Sequence, residues 1–213
     1  MGSRIKRYFY KYMPLNNMER VLDIVFNQRL HCARWDKLND PMEACYEVFS
    51  ECESDGHIMD AKIINALNNW RIAALGASNK NFLLWSHYAD GHRGIAIEID
   101  IPIDNRPFLE QVQYDWATTS FSHMDQIENS SMMHLLWYKK EEWTNEKEYR
   151  IIIQATHIGS TEDYFSLPNP IKKIFIGART KVKQVELLKK VTGNKVKLVH
   201  MDLDKDGYMK VRR

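Results

Sequence analysis

The spacing of apolar positions changes along the chain, and each change marks an element. Tyr8 to Met13 is aromatic and extended in character, and Pro14 pushes the residue before it away from helix, so a strand opens the fold. Leu15, Met18, Val21, Leu22 and Val25 then fall at helical spacing behind an asparagine cap at Asn16 or Asn17, predicting an amphipathic helix to Arg29. Leu30 to Trp35 reads as a second strand. Asn39-Asp40-Pro41 reads as a turn, because Asx side chains fold back on the backbone and proline fixes φ. Met59, Ile63, Ala66 and Leu67 share one face of a helix ending at Asn69, which runs into a strand over Trp70 to Ala77. Phe82 to Ala89 is a short apolar-aromatic helix stopped by Gly91 to Gly94. Ile95 to Ile101 alternates as a strand with Glu98 and Asp100 at its far end, and Gln111 to Tyr114 is expected to pair beside it.

The second half continues the mixture. Ser122 to Lys140 is polar with a thin stripe of Ile127, Leu135 and Leu136, predicting a surface helix. Glu148 to Ala155 is a strand. Beyond Pro168 and Pro170, the pattern gives a strand over Lys173 to Gly177, a helix over Lys181 to Thr192 closed by Gly193, and a strand over Lys195 to Met201. Helices and strands mix without a regular βαβ alternation, so the expected class is α+β, with a mixed or antiparallel sheet flanked by helices. Residues 1–213 fit one domain, with 1–7 flexible ahead of it.

Composition narrows the function classes. Hydrophobic residues at 44% and charged residues at 27% exclude a disordered or fibrous chain. A net charge of +2 gives no general field for nucleic acid or membrane, so any polyanion contact must be local. Cys32, Cys45 and Cys52 cannot all pair, and their spacings of 13 and 7 match no zinc motif, so they read as free thiols of a reducing cytoplasm, with no metal expected. The N-terminal segment has no signal-peptide core, and nowhere does an apolar run reach the roughly 18 residues of a membrane span. Asp202 to Gly207 opens like a calcium loop, but its twelfth position is Arg213 and strands flank it. Asp206-Gly207 therefore reads as a hairpin turn.

Two segments concentrate reactive side chains. Leu84 to Gly94 holds Trp85, Ser86, His87, Tyr88 and His92 on a short helix and its exit. Trp85 and Tyr88, three apart, share a helical face, and either one equally suits plain core packing. Trp143 to Ile153 brings Glu146 and Glu148 to the head of an apolar strand. Period two puts Glu146, Glu148 and Arg150 on one side, with Arg150 setting the charge of a carboxylate that acts as base or stabilises positive charge. An exposed, salt-bridged strand entrance is the plainer alternative.

Tyr10-Lys11-Tyr12, Asn39-Asp40-Pro41, the block Leu84 to Asp90 with Gly94 and Asp100, Trp143 with Glu146 to Arg150, and Ile174 to Gly177 resemble a widespread bacterial domain of unknown function over about residues 8 to 210. More distantly, the order of features is similar to ADP-ribosyltransferases, which implies a split sheet and an NAD-consuming transferase or glycohydrolase, acting as a toxin or antiphage effector. That resemblance implies Glu148 stabilising the oxocarbenium, Glu146 orienting the acceptor and Ser86 supporting Glu148. It also implies Trp85 or Tyr88 stacking on nicotinamide and Lys11, beside Tyr12, meeting the phosphates, with His87 as a partial substitute. Lys11 departs from the Arg or His usual on that first strand. NAD is then a substrate, no cofactor is required, and the acceptor, protein or nucleic acid, is left open. Two other classes stay open. One is a metal-independent hydrolase or nuclease with His87 or His92 as base beside Glu148 or Asp100. The other is a non-catalytic module gripping a nucleotide or a protein.

Overall fold

The computed structural model describes residues 7–50, 52–102, 109–114, 119–122, 132–157, 162–206 and 209–212. Its strands are β1 (Tyr8–Met13), β2 (Arg29–Ala33), β3 (Tyr46–Val48), β4 (Trp70–Gly76), β5 (Ile95–Asp100), β6 (Leu109–Gln111), β7 (Thr119–Phe121), β8 (Glu148–Gln154), β9 (Glu162–Ser166), β10 (Lys173–Ile176), β11 (Lys197–Leu203) and β12 (Met209–Val211). Its helices are α1 (Met18–Phe26), α2 (Glu53–Leu67), α3 (Phe82–Tyr88) and α4 (Val182–Thr192). Among the described residues ten strands make one curled mixed sheet, in the order β12-β11-β10-β5-β1-β4-β2-β9, with β8 also on β4 and β6 beyond it. β3 and β7 pair apart from it. The α+β expectation holds. No helix among these residues is long and apolar enough to cross a membrane.

Strand alternation decides which residues face which layer. Phe9, Met13, Ile95, Ile97 and Ile99 turn to one face, where Val21 and Ile24 of α1 and Leu188 of α4 close the core. Tyr12, Ala96 and Phe175 turn to the other, against Leu84 and Trp85 of α3. Farther along that second face, Met59, Ile63, Ala66 and Leu67 of α2 cover Ile72 and Ile152.

The sheet forks at β4. β8 pairs with all seven residues of β4, from Trp70↔Gln154 to Gly76↔Glu148, so β1 and β2 must share the opposite edge. β1 meets it at Tyr10↔Gly76 and β2 at Ala33↔Ile72. Ala74 lies between these two pairings, and its carbonyl accepts a hydrogen bond from the Lys11 ammonium at 3.0 Å in place of a strand partner.

Some expectations change. Gln111 pairs with Tyr149, so β6 lies beside β8 rather than beside β5. The expected surface helix over Ser122 to Lys140 is, in its described part, a helical and 3-10 turn whose Leu135, Leu136 and Trp137 are buried in the α2 core; residues 123–131 lie outside the described residues. The short strands β3, β7 and β9 had no legible period. β11 and β12 pair antiparallel as the hairpin reading requires, although Gly207 lies outside the described residues.

Candidate functional site

The fork opens into a cleft of about 290 Å³ lined from β1, β2, β4 and α3 and by the side chains of Glu43, Lys139, Glu146 and Glu148. Tyr10, Lys11 and Tyr12 all border it. Successive strand residues point to opposite faces, so three in a row can line a cavity only where it reaches the strand's edge, and the fork exposes that edge.

The acidic floor is built by β8. Glu148 and Arg150 point to the α2 side with Ile152, as period two predicts, and Arg150 is fully buried. Its guanidinium donates to Glu148 Oε1 (2.7 Å), Glu43 Oε1 (2.7 Å) and the Leu136 carbonyl (2.6 Å). Lys139 Nζ donates to Glu148 Oε2 (3.0 Å) and Glu146 Oε2 (2.8 Å), and stands 4.6 Å from the centre of the Trp143 ring. Three carboxylates thus share two cations in a region that excludes water, where a lone charge would be intolerable. Burial raises the Glu148 carboxyl, but Arg150 and Lys139 outweigh it and hold the group below the usual carboxylate range. Burial dominates at Glu43, whose carboxyl is pushed up despite Arg150. Lys139 loses to burial less than it gains from Glu148 and Glu146, and stays charged. The buried oxygens Glu43 Oε2 and Glu146 Oε1 have no hydrogen-bond partner among the described residues.

Glu146 reaches this floor by another route than the one the sequence suggests. It ends a 3-10 turn over Glu141–Glu146, and Lys147 then takes a left-handed conformation (φ 48°, ψ 50°) before β8 begins. The reversal at Lys147 brings both carboxylates onto Lys139, and both are buried, which rules out the exposed strand entrance.

The wall comes from α3. Asn81 caps it by accepting from the Leu83 and Leu84 amides, and the same side chain donates to the carbonyls of Asn145 (2.7 Å) and Glu146 (3.2 Å). One residue therefore fixes both the helix bearing Tyr88 and the segment bearing Glu146. Gly76 permits the approach, since a Cβ there would lie 2.5 Å from Leu84 Cδ1. The Tyr88 hydroxyl accepts from Asn39 Nδ2 at 3.4 Å. Burial first and Glu146 second push its phenol well up, so it is a proton-bearing donor toward the floor.

Of the residues singled out in the sequence, Lys11, Tyr12, Tyr88, Glu146 and Glu148 line the cleft, and Arg150 lies behind its floor. Trp85 does not reach it. Its ring is fully buried, edge-on to Tyr12, with Nε1 donating to the Asn79 carbonyl. Ser86 Oγ bonds His92 Nε2 at 3.1 Å, away from Glu148, and His87 is exposed against Tyr88 and Trp143. Stacking by Trp85 and support of Glu148 by Ser86 are thus both corrected, because Trp85 is consumed in covering β1 and Ser86 is turned to His92. Burial, then Arg179, lowers the His92 imidazole. Asp100 is occupied by Arg7.

Sequence reasoning missed Glu43, Lys139, Arg20 and His31. Glu43 had a signal: it follows the Asn39-Asp40-Pro41 turn, where Asp40 accepts from the Met42 amide through its side chain and from the Glu43 amide through its carbonyl, aiming the chain inward. Lys139 had none, since a lysine beside Lys140 reads as solvated. Lys11 is lowered by burial, and Cys32 behind it is pushed up to about 12 by burial, an inert thiol. No family model matches the chain, and neither a curated protein nor a solved structure matches it.

Proposed function

We propose that the cleft binds a nucleotide and that the chain breaks the N-glycosidic bond of NAD, as a transferase or glycohydrolase. The observation that carries this reading is the meeting of Lys11, Tyr88, Glu146 and Glu148, from three separate segments, at one cleft. In the reaction the bond between ribose C1′ and the nicotinamide nitrogen breaks, its electron pair leaves with nicotinamide, and positive charge develops on the sugar. Glu148, held ionised by Arg150 and Lys139, supplies a fixed negative charge for that state. Glu146 Oε1, without a hydrogen-bond partner among the described residues, takes the proton of the attacking water or acceptor hydroxyl. Tyr88 offers a ring face and a hydroxyl donor, and Lys11 offers positive charge to the phosphates. Loss of NAD in a bacterial cytoplasm would make such a chain a toxin or antiphage effector.

Incubation with NAD, followed by chromatography for nicotinamide and ADP-ribose, tests the reading. The wild type should release nicotinamide, and Glu148→Gln should lower the rate about 10²–10³-fold, the usual cost of losing one group that stabilises transition-state charge. A folded wild type that leaves NAD intact overturns the reaction. A Glu148→Gln protein of undiminished rate overturns the role of that residue. One observation favours a second reading, a non-catalytic nucleotide-binding module: both oxygens of Glu148 are already engaged, Oε1 by Arg150 and Oε2 by Lys139. Saturable NAD binding without products would select it.

A further inference from the structure

A second cavity, about 200 Å³, runs under α1 and shares Lys11, Tyr12, Arg20, His31 and Tyr88 with the cleft. Where the two join, the basic side chains of Lys11, Arg20 and His31 come together. Lys11 bonds only the Ala74 carbonyl, Arg20 Nη2 lies 3.3 Å from His31 Nε2, and neither cation makes an ion pair with a carboxylate among the described residues. The carboxylates at this end are Glu162, 2.6 Å from His31 and half exposed, and Asp23, which lines the second cavity. Other basic groups nearby are neutralised in the ordinary way, Arg29 by Asp23 and Lys37 by Asp36.

We infer that the junction of the two cavities is a phosphate subsite, in which Lys11, Arg20 and the His31 imidazole receive the diphosphate of a nucleotide. The geometry supplies what such a group needs: a forked guanidinium from the first turn of a helix, an enclosed ammonium from a strand edge and a ring nitrogen, all bordering one hollow. The electrostatics agree. Burial first and Arg20 second lower the His31 imidazole against the opposing pull of Glu162, with a smaller push from Lys11, and Arg20 also works against the charge on Lys11. Cations that repel each other across a cavity are relieved by an anion placed between them. The site extends the cleft of the proposed reaction, but it does not depend on any bond being broken.

The test is a titration with sodium pyrophosphate, matched in ionic strength with sodium chloride and followed by thermal shift and by the His31 ring resonances. The wild type should be stabilised saturably, with the His31 pKa raised. Arg20→Gln, an exposed position whose loss leaves the core intact, should bind pyrophosphate about ten-fold or more weakly, the loss of one charge-assisted hydrogen bond. Pyrophosphate that moves neither signal, or that binds Arg20→Gln as tightly as the wild type, overturns the subsite. The two proposals fail separately. Pyrophosphate binding with intact NAD leaves the subsite standing and removes the reaction. Nicotinamide release that pyrophosphate does not inhibit, with an unchanged KM in Arg20→Gln, removes the subsite and leaves the reaction.

Discussion

The acidic floor and the cationic end share one cleft yet handle charge in opposite ways. On the floor, Glu43, Glu146, Glu148, Lys139 and Arg150 are all buried and tied together by short hydrogen bonds. At the other end, Lys11 and Arg20 have no carboxylate partner among the described residues. A buried network of the first kind is consumed in holding the fold, and what it offers a ligand is a fixed field. Lys11 does tie β1 to the Ala74 carbonyl, but neither it nor Arg20 is held by a carboxylate, and that interaction is kept for an anion that binds. The comparison therefore separates residues that should govern stability from residues that should govern affinity.

The strongest way to break this comparison is at Arg150. Arg150→Met leaves Glu43 and Glu148 buried without their main partner, and should cost about 3–5 kcal/mol in urea unfolding. A loss no larger than that of a surface substitution would show that the floor is not structural. Next comes pH. The Glu148 carboxyl is held below its unfolded value, so its contribution is fully present above the unfolded value of about 4.3 and is lost as pH falls through the depressed folded value. The melting temperature of the wild type should thus exceed that of Glu148→Gln at neutral pH, and the gap should close in acid. A gap that widens in acid would reverse the sign.

Asn81→Ala should cost about 1 kcal/mol through the lost cap. It should also weaken nucleotide binding, because the tie to Asn145 and Glu146 goes with it. The smallest expected effect sharpens the other side. Arg20→Gln should leave unfolding free energy within about 0.5 kcal/mol of the wild type. At the same time the His31 titration, followed by NMR, should move upward as the second cause of its depression disappears. A large destabilisation by Arg20→Gln would put that residue in the structural class.

Much of the frame was legible because it follows from periods. Period two in Ile95 to Asp100 and in Glu148 to Gln154 located two central strands and put Glu148 and Arg150 on one side. Helical spacing located α1 and α4. Side-chain density was a poorer guide to the site. The segment around Trp85 was the densest in the chain, yet only Leu84 and Tyr88 from it reach the cleft, since the aromatic face was needed to cover β1. What could not be read was geometry set by distant parts of the chain. Nothing at Lys147 announces a left-handed residue, and nothing in Trp70 to Gly76 says that two strands will divide one edge of it. Lys139 looked solvated because its three carboxylate partners, Glu43, Glu146 and Glu148, are assembled only by the tertiary fold.

The fork also orders events in time. β1 is the first strand made, but its neighbours β4 and β5 begin only at Trp70 and Ile95, and β8, which forces the division of the β4 edge, begins at Glu148. Contacts so distant in sequence form slowly and late. During synthesis the chain therefore carries Lys11 and Arg20 for well over a hundred residues of elongation before Glu146 and Glu148 exist, so the cleft is completed only once β8 has been made.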